Sequence, residues 1–263
     1  MLDFEDGKRV RFEIVVENLL TQCGGCPAHL LAFCSDAEAE ALASLDRAVR
    51  QIDLRKGEVI VEEGAPNAAL RTVISGGLRL HKTLRDGRRL ITAFRFPGEA
   101  VIGGVNGEPS PVAVQALSST VLCQLDYQDL APLRAEYPEL TERLEALAAS
   151  HSADDQAHML TLGRKSPPEK LATFLLEMER RMRVPFTAEG CTSKDCTSDA
   201  TVRLPMTRQD IADYLGLETE TTSRLFSRFK DDGIIALPRP SLVVLCNRKA
   251  LTALAEGCAP QAV

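Results

Sequence analysis

Three of the eight cysteines fall within twelve residues, Cys23, Cys26 and Cys34, spaced C-x2-C-x7-C around Gly24, Gly25 and Pro27. Thiols gathered in a turn-rich loop can be drawn around one centre, and the thiolate is a ligand for zinc and for iron–sulfur clusters. A cubane needs four thiolates, one for each iron, so the trio would need a fourth from elsewhere in the chain. With His29 the same trio makes a Cys3His zinc set, and two of the thiols alone would serve as a thiol–disulfide switch. A thiol oxidoreductase built on Cys23-Gly-Gly-Cys26 is disfavoured, because no βαβ pattern surrounds the motif to activate its thiolate. No enzymatic activity is expected.

A second constellation lies near the C-terminal end. Thr207 with Asp210 three residues on has the form of a capping box, Ile211, Ala212 and Leu215 supply an apolar face, and Gly216 supplies a sharp turn. A second helix from about Thr219 to Lys230 has Thr222, Leu225, Phe226 and Phe229 for its inner face. Helix, glycine turn and helix in so short a span is the helix-turn-helix layout. On the outer face Glu220, Ser223 and Arg224 stand at i, i+3 and i+4, with Thr219 beside them. Arginine can bond guanine bidentately, and a carboxylate can accept from the cytosine amino group. Arg208 and Arg228 suit phosphate contacts. Double-stranded DNA is the expected partner.

The net charge of −6 does not by itself point to DNA. It conceals an uneven division, since residues 1–163 carry −8 and residues 164–263 carry +2. The mildly basic part is the one that holds the helix-turn-helix. The longest apolar runs fall far short of the ~20 residues a membrane helix needs, so no membrane association is expected. The start, MLDFEDGKRVRFE, shows no secretory pattern, and a cytoplasmic location follows as an expectation. In that reducing compartment eight cysteines are better explained by metal ligation, redox chemistry or packing than by a disulfide scaffold.

The elements that must hold these groups can be read in outline. Residues 50–126 are β-rich, with short alternating runs such as Leu78 to Lys82 and Thr120 to Leu125 separated by glycine-containing turns, which suggests a sandwich or barrel. From about residue 138 to 163 the pattern is one long helix with Leu140, Leu144 and Leu147 on a stripe that continues through His151, Asp154 or Asp155, and His158. Either the polar half of this stripe is a solvated helix end, or the helix pairs with a second copy and the carboxylates keep the pairing marginal. Another amphipathic helix, Glu169 to Met182, follows Pro167-Pro168, and ALPRPSLVVLCNR reads as a short strand pair. Cys191 and Cys196, in a Thr/Ser-rich stretch, have no assigned role; Cys246 reads as a strand residue and Cys258 as part of the tail.

KGEVIVEEGAP, GGLRLHKTLRDGRRL and FPGE, followed by a long helix and MTRQDIADYLGLETETTSRLFSRFKDDGII, resemble the CRP/FNR transcription regulators over nearly the whole chain. Glu220, Ser223 and Arg224 match the recognition pattern of the FNR branch, and the C-x2-C-x7-C spacing resembles oxygen sensors of the FnrN/FnrL type. The resemblance implies an α+β chain: a cysteine-containing segment over 1–45, a β-roll of the cyclic-nucleotide-binding jelly-roll type over 46–130, a dimerisation helix over 131–163, and a winged helix-turn-helix over 164–263. It implies a homodimer on TTGAT-like inverted repeats, with RNA polymerase as a further partner. It also implies a [4Fe-4S] cluster on Cys23, Cys26, Cys34 and Cys123, the last in the matching strand SSTVLCQLDY, where the residues alone, with Val121 and Leu125 on the same apolar face, read first as core packing. Asp155 aligns with an aspartate that opposes dimerisation in such sensors. Cyclic nucleotide is disfavoured, because the GEPSPVAVQAL stretch has Ser110-Pro111 where that branch carries an Arg-Ser pair, and no arginine occurs between Arg95 and Arg134.

Overall fold

The computed structural model describes residues 23, 26–28, 32–35, 37–103, 107–184 and 200–258. After α1 (Ala39–Ala48), eight strands form two four-stranded antiparallel sheets. One runs β1 (Arg50–Leu54), β8 (Thr120–Asp126), β3 (Ala69–Ser75), β6 (Ala100–Ile102); the other runs β2 (Val59–Val61), β7 (Ala113–Ala116), β4 (Leu78–Thr83), β5 (Arg89–Arg95). Leu54, Val61, Val73, Leu78, Leu80, Val101, Val114 and Leu122 fill the space between them. Strand alternation fixes what each residue can do. On β8, Leu122 is fully buried between the sheets, which turns Cys123 to the outer face, opposite Gln51 on β1 and Thr72 on β3. Gly76 lets the β3–β4 turn close, since a Cβ there would sit 2.4 Å from the Ser119 carbonyl oxygen.

Helices α2 (Tyr127–Glu136) and α3 (Glu139–Arg164) follow the sandwich. The leucine stripe of α3 is turned inward: Leu140 and Leu144 are buried with Leu45, Leu70, Leu125 and Leu130, and Leu147 packs on the same cluster. This corrects the expectation that Leu140, Leu144 and Leu147 form a dimer seam. A helical apolar stripe marks a covered face without saying what covers it, and here the cover is the chain's own sandwich. His151 and His158 continue this inner side and are half-buried, whereas Asp154 and Asp155 are exposed. The opposite side carries Ala146, Ala149, Ala153 and Gln156, all exposed, and ends in Met159 and Leu160, 62% and 59% exposed.

A two-residue connection, Lys165 and Ser166, leads from α3 to α4 (Pro167–Met182). Then come α5 (Arg208–Leu215) and α6 (Thr219–Asp231), embraced by a sheet in the order β11 (Ile235–Arg239), β12 (Leu242–Leu245), β10 (Thr201–Arg203), β9 (Arg183–Val184), and α7 (Arg248–Ala255) closes the domain. The expected strand pair is β11 and β12, the wing. Its core joins Phe174, Leu175 and Met178 of α4 to Ile211, Leu215, Phe226 and Phe229, and extends to Ile91, Phe94 and Phe96 of the sandwich. Among the described residues no helix is long and apolar enough to cross a membrane.

Candidate functional site

The reading helix is positioned by local chemistry that the sequence foretold. Thr207 caps α5, its hydroxyl accepting from the Asp210 amide at 3.1 Å while the Asp210 carboxylate accepts from the Thr207 amide at 2.9 Å. Gly216 ends α5 in the left-handed conformation, φ 60° and ψ 43°, where a side chain would be strained. Thr222, Leu225, Phe226 and Phe229 bury the inner face of α6, leaving Glu220, Ser223, Arg224, Ser227 and Arg228 exposed along the other. An α-helix presenting an arginine, a carboxylate and a hydroxyl on one open stripe near its N-terminus is suited to base edges in a major groove.

Partners within the free protein refine the roles. Arg224 donates to Glu220 at 2.6 Å, but both side chains are about three-quarters exposed, so the pair holds little energy and can be exchanged for base contacts. Arg228 lies 3.6 Å from Asp232. Thr219 donates to Gln209 and so ties α6 to α5; Gln209 did not stand out in the sequence. Arg208, expected as a phosphate contact, has partners within the chain: its guanidinium stacks on Phe226 at 3.4 Å from the ring centre and donates to the Pro240 carbonyl of the wing. Burial lowers its pKa to about 10.

The four proposed thiols come together. Cys23, Cys26, Cys34 and Cys123 line one apolar pocket with Ala28, Ala32, Phe33, Leu45, Val49, Leu70 and Leu125, between α1, the N-terminal loop and the outer face of β8. All four are free thiols. Burial raises the pKa of Cys123 to about 12, with the facing Cys34 and Cys26 adding to the effect, and raises Cys34 and Cys23 as well. These are protonated thiols at neutral pH, whose protons must leave when a metal binds. Among the described residues no three metal-binding groups converge on a single point. A cubane spreads its thiolates over four irons, so a ring of thiols around a pocket suits it better than a point site. His29, the fourth ligand of the zinc alternative, lies outside the described residues.

Two neighbours of this pocket were missed by sequence reasoning. Asp46 accepts a hydrogen bond from the Cys23 amide at 2.6 Å, docking the loop on α1. Arg143 of α3 donates to the Phe33 carbonyl at 3.2 Å, one residue before Cys34. Neither belongs to a motif; both depend on the loop lying across two helices distant in sequence. Cys246, just past β12, is disulfide-bonded and Cys258 is exposed and free; Cys191 and Cys196 lie outside the described residues.

A cavity of ≈410 Å³ lies between the sandwich and α3, lined by Lys82, Arg95, Ser110, Pro111, His151 and His158 among others. Arg95 lines this cavity although the stretch after FPGE carries no arginine. That side chain is committed, however, donating to the carbonyls of Ala100 and Phe94, and the Ser110 hydroxyl donates to Val112. His151 is held neutral, its pKa lowered to about 4 by burial and then by Arg95.

A sandwich that gathers thiols on its outer face, joined by one long helix to a helix-turn-helix with an open reading stripe, defines a DNA-binding regulator. Residues 51–137 match the cyclic nucleotide-binding domain and residues 169–254 the Crp-like helix-turn-helix domain. The chain is 34% identical to the transcriptional activator protein Anr of Pseudomonas aeruginosa, over 89% of this chain and 93% of that one. It is 30% identical to the fumarate and nitrate reduction regulatory protein of Vibrio cholerae, with the same coverage. Among solved structures it is similar to FixK2 from Bradyrhizobium japonicum, 34% identical with TM-score 0.70, covering 81% of this chain and 99% of that one. The chain belongs to the CRP/FNR family of transcription regulators. Its relatives are not enzymes, and no enzymatic family is indicated.

Proposed function

We propose that this regulator is oxygen-responsive, binding TTGAT-like inverted repeats as a homodimer when Cys23, Cys26, Cys34 and Cys123 hold a [4Fe-4S] cluster, with RNA polymerase as its partner in the cytoplasm. The observation that carries this reading is the gathering of four free thiols, three from the loop and one from β8, around one apolar pocket. The relatives, transcriptional activators named Anr and a fumarate and nitrate reduction regulator, support it. Bound there, the cluster would supply an oxygen-labile link between the loop and β8.

The chain's own residues carry the rest. Asp46 seats the Cys23 loop, and Arg143 connects the backbone beside Cys34 to α3. Phe33 and Cys34 pack on the core that holds Leu140 and Leu144, so a shift of the loop moves the N-terminal half of α3. The outward face of α3, from Ala146 through Ala149, Ala153 and Gln156 to Met159 and Leu160, is the proposed contact with the second copy. Asp155 borders that apolar end, and two such carboxylates brought together across a symmetric interface oppose it. Pairing is thereby kept marginal, and a difference of a few kcal/mol changes the dimer population by more than a hundredfold. Cyclic nucleotide is disfavoured because the Ser110 hydroxyl and two N–H groups of Arg95, at Nε and Nη1, are already given to the chain's own carbonyls, and no Arg-Ser pair follows FPGE.

Anaerobic purification followed by metal and sulfide analysis tests the proposal. Four irons and four sulfides per protomer are expected; one zinc per protomer, or metal-free protein with a reversible disulfide within the trio, would establish the zinc or thiol-switch alternative instead.

A further inference from the structure

The reader does not hang freely from its two-residue connection. Arg79 on β4 and Arg89 on β5 both donate to Asp210 of α5, Arg89 at 3.0 Å. Arg89 also donates through Nε to Asp213 at 2.8 Å. The arginine side chains are 18% and 21% exposed, and Asp210 is 3% exposed. Each end of this cluster is held from behind: Gln115 of β7 accepts from Arg79 at 2.6 Å, and Gln209 donates to Asp213 at 2.7 Å. Beneath the charges Tyr214 of α5 meets Phe94 of the sandwich at 5.1 Å between ring centres, and His158 of α3 stacks on Tyr214 at 4.0 Å. The sensor sheet and the long helix therefore grip the first helix of the reader together.

This grip obstructs neither binding face. Glu220, Ser223 and Arg224 are exposed while α5 is held, and so are Met159 and Leu160. The grip fixes an orientation, and orientation is what a dimeric reader needs, because its two recognition helices must enter major grooves one helical turn apart. A reader free to swivel would have to be ordered at the moment of binding, which costs affinity; one fixed beforehand does not.

We propose that Arg79, Arg89, Asp210 and Asp213 are positioning residues for DNA recognition, an ionic clamp that sets each reader at the angle required for both half-sites to be bound at once. Asp210 also closes the capping box, so the clamp is built on a residue of the first turn of α5. Arg89 bridges two carboxylates, from Nε to Asp213 and from Nη2 to Asp210, and the fixed fork of its guanidinium gives direction as well as attraction. Asp213 and Arg89 lie off the reading stripe and touch neither the thiol pocket nor the outward face of α3.

The test uses whichever preparation sediments as a dimer, and its readout, the difference between the intact repeat and the single half-site, is separate from the metal and sulfide analysis that tests the cluster proposal. The probes are an inverted-repeat duplex selected by the protein from random DNA and the same duplex with one half-site scrambled. Asp213→Asn and Arg89→Gln should each weaken binding to the intact repeat on the order of threefold to thirtyfold, the range of coupled charge pairs. Affinity for the single half-site should stay within twofold, which also shows that the reader is folded. The double variant should be no weaker than the worse single one. An increase in affinity for the intact repeat, an equal loss on both duplexes, or no change on either would overturn the proposal.

Discussion

Replacing Leu140 by alanine separates two accounts of the long helix. Leu140 has no exposed surface and packs among Leu45, Leu125, Leu130 and Leu144. Removing a fully buried leucine side chain to Ala costs about 2–5 kcal/mol, the spread reflecting how far the site collapses. For a chain of this size each kcal/mol lowers Tm by roughly 2–4 °C, so a fall of about 6–12 °C is expected for a cost near ~3 kcal/mol. Leu160→Ala should behave in the opposite way. At 59% exposed it contributes little to the single chain, and its Tm should move by less than about 2 °C, as for ordinary surface changes. In a symmetric dimer the change is made twice, removing roughly 1–2 kcal/mol of burial per copy, so the dimer dissociation constant should rise on the order of thirtyfold or more. Thermal unfolding of the monomer and sedimentation equilibrium read the two quantities separately. Leu140→Ala that left Tm unchanged while weakening the dimer would refute the inward placement of the stripe. Leu160→Ala that left association untouched would refute the outward one.

Other expectations follow from single residues. Cys123→Ala should abolish iron and sulfide loading under anaerobic conditions without changing the far-ultraviolet circular dichroism of the metal-free protein, because the thiol lies on the outer face of β8 rather than between the sheets; full loading in that variant would remove Cys123 from the ligand set. Glu220→Ala should relax base preference at one position of each half-site, a loss of about 1–3 kcal/mol of discrimination, read by competition among duplexes differing at single base pairs. Stability should fall with pH through a specific group: His151 is neutral in the fold, with its pKa near 4, and titrates near 6.5 when unfolded. The unfolded chain then takes up the extra proton, so stability drops as pH goes from about 7 to about 4 and this contribution is complete below that. His151→Gln should flatten that part of the curve of Tm against pH.

The sequence read well where function depends on local pattern. The capping box at Thr207 and Asp210, the Gly216 turn and the alternation of α6 are all written within one short stretch, and the structure reproduces each. Alternation put Cys123 on an apolar face with Leu125, a position open to core packing as well as to ligation, and the structure turns both to the pocket outside the sandwich. What escaped depends on which surface meets which. The stripe of Leu140, Leu144 and Leu147 was legible as a covered face, but its partner was misassigned, because periodicity carries no information about distance along the chain. Asp46, Arg143 and the Arg79–Asp210 contact are long-range polar pairs with no spacing rule to reveal them. Arg208 was expected as a phosphate contact from its place at the start of the first helix, and the packed structure adds that its guanidinium lies on Phe226.

If the thiol pocket governs pairing of the long helix, sedimentation of anaerobically purified protein, recorded at a visible wavelength and in the ultraviolet before and after admission of air, will show both change together. A coloured dimer that becomes a colourless monomer is the predicted result. A protein that is colourless throughout, or one that loses its colour in air and sediments unchanged, would contradict the account.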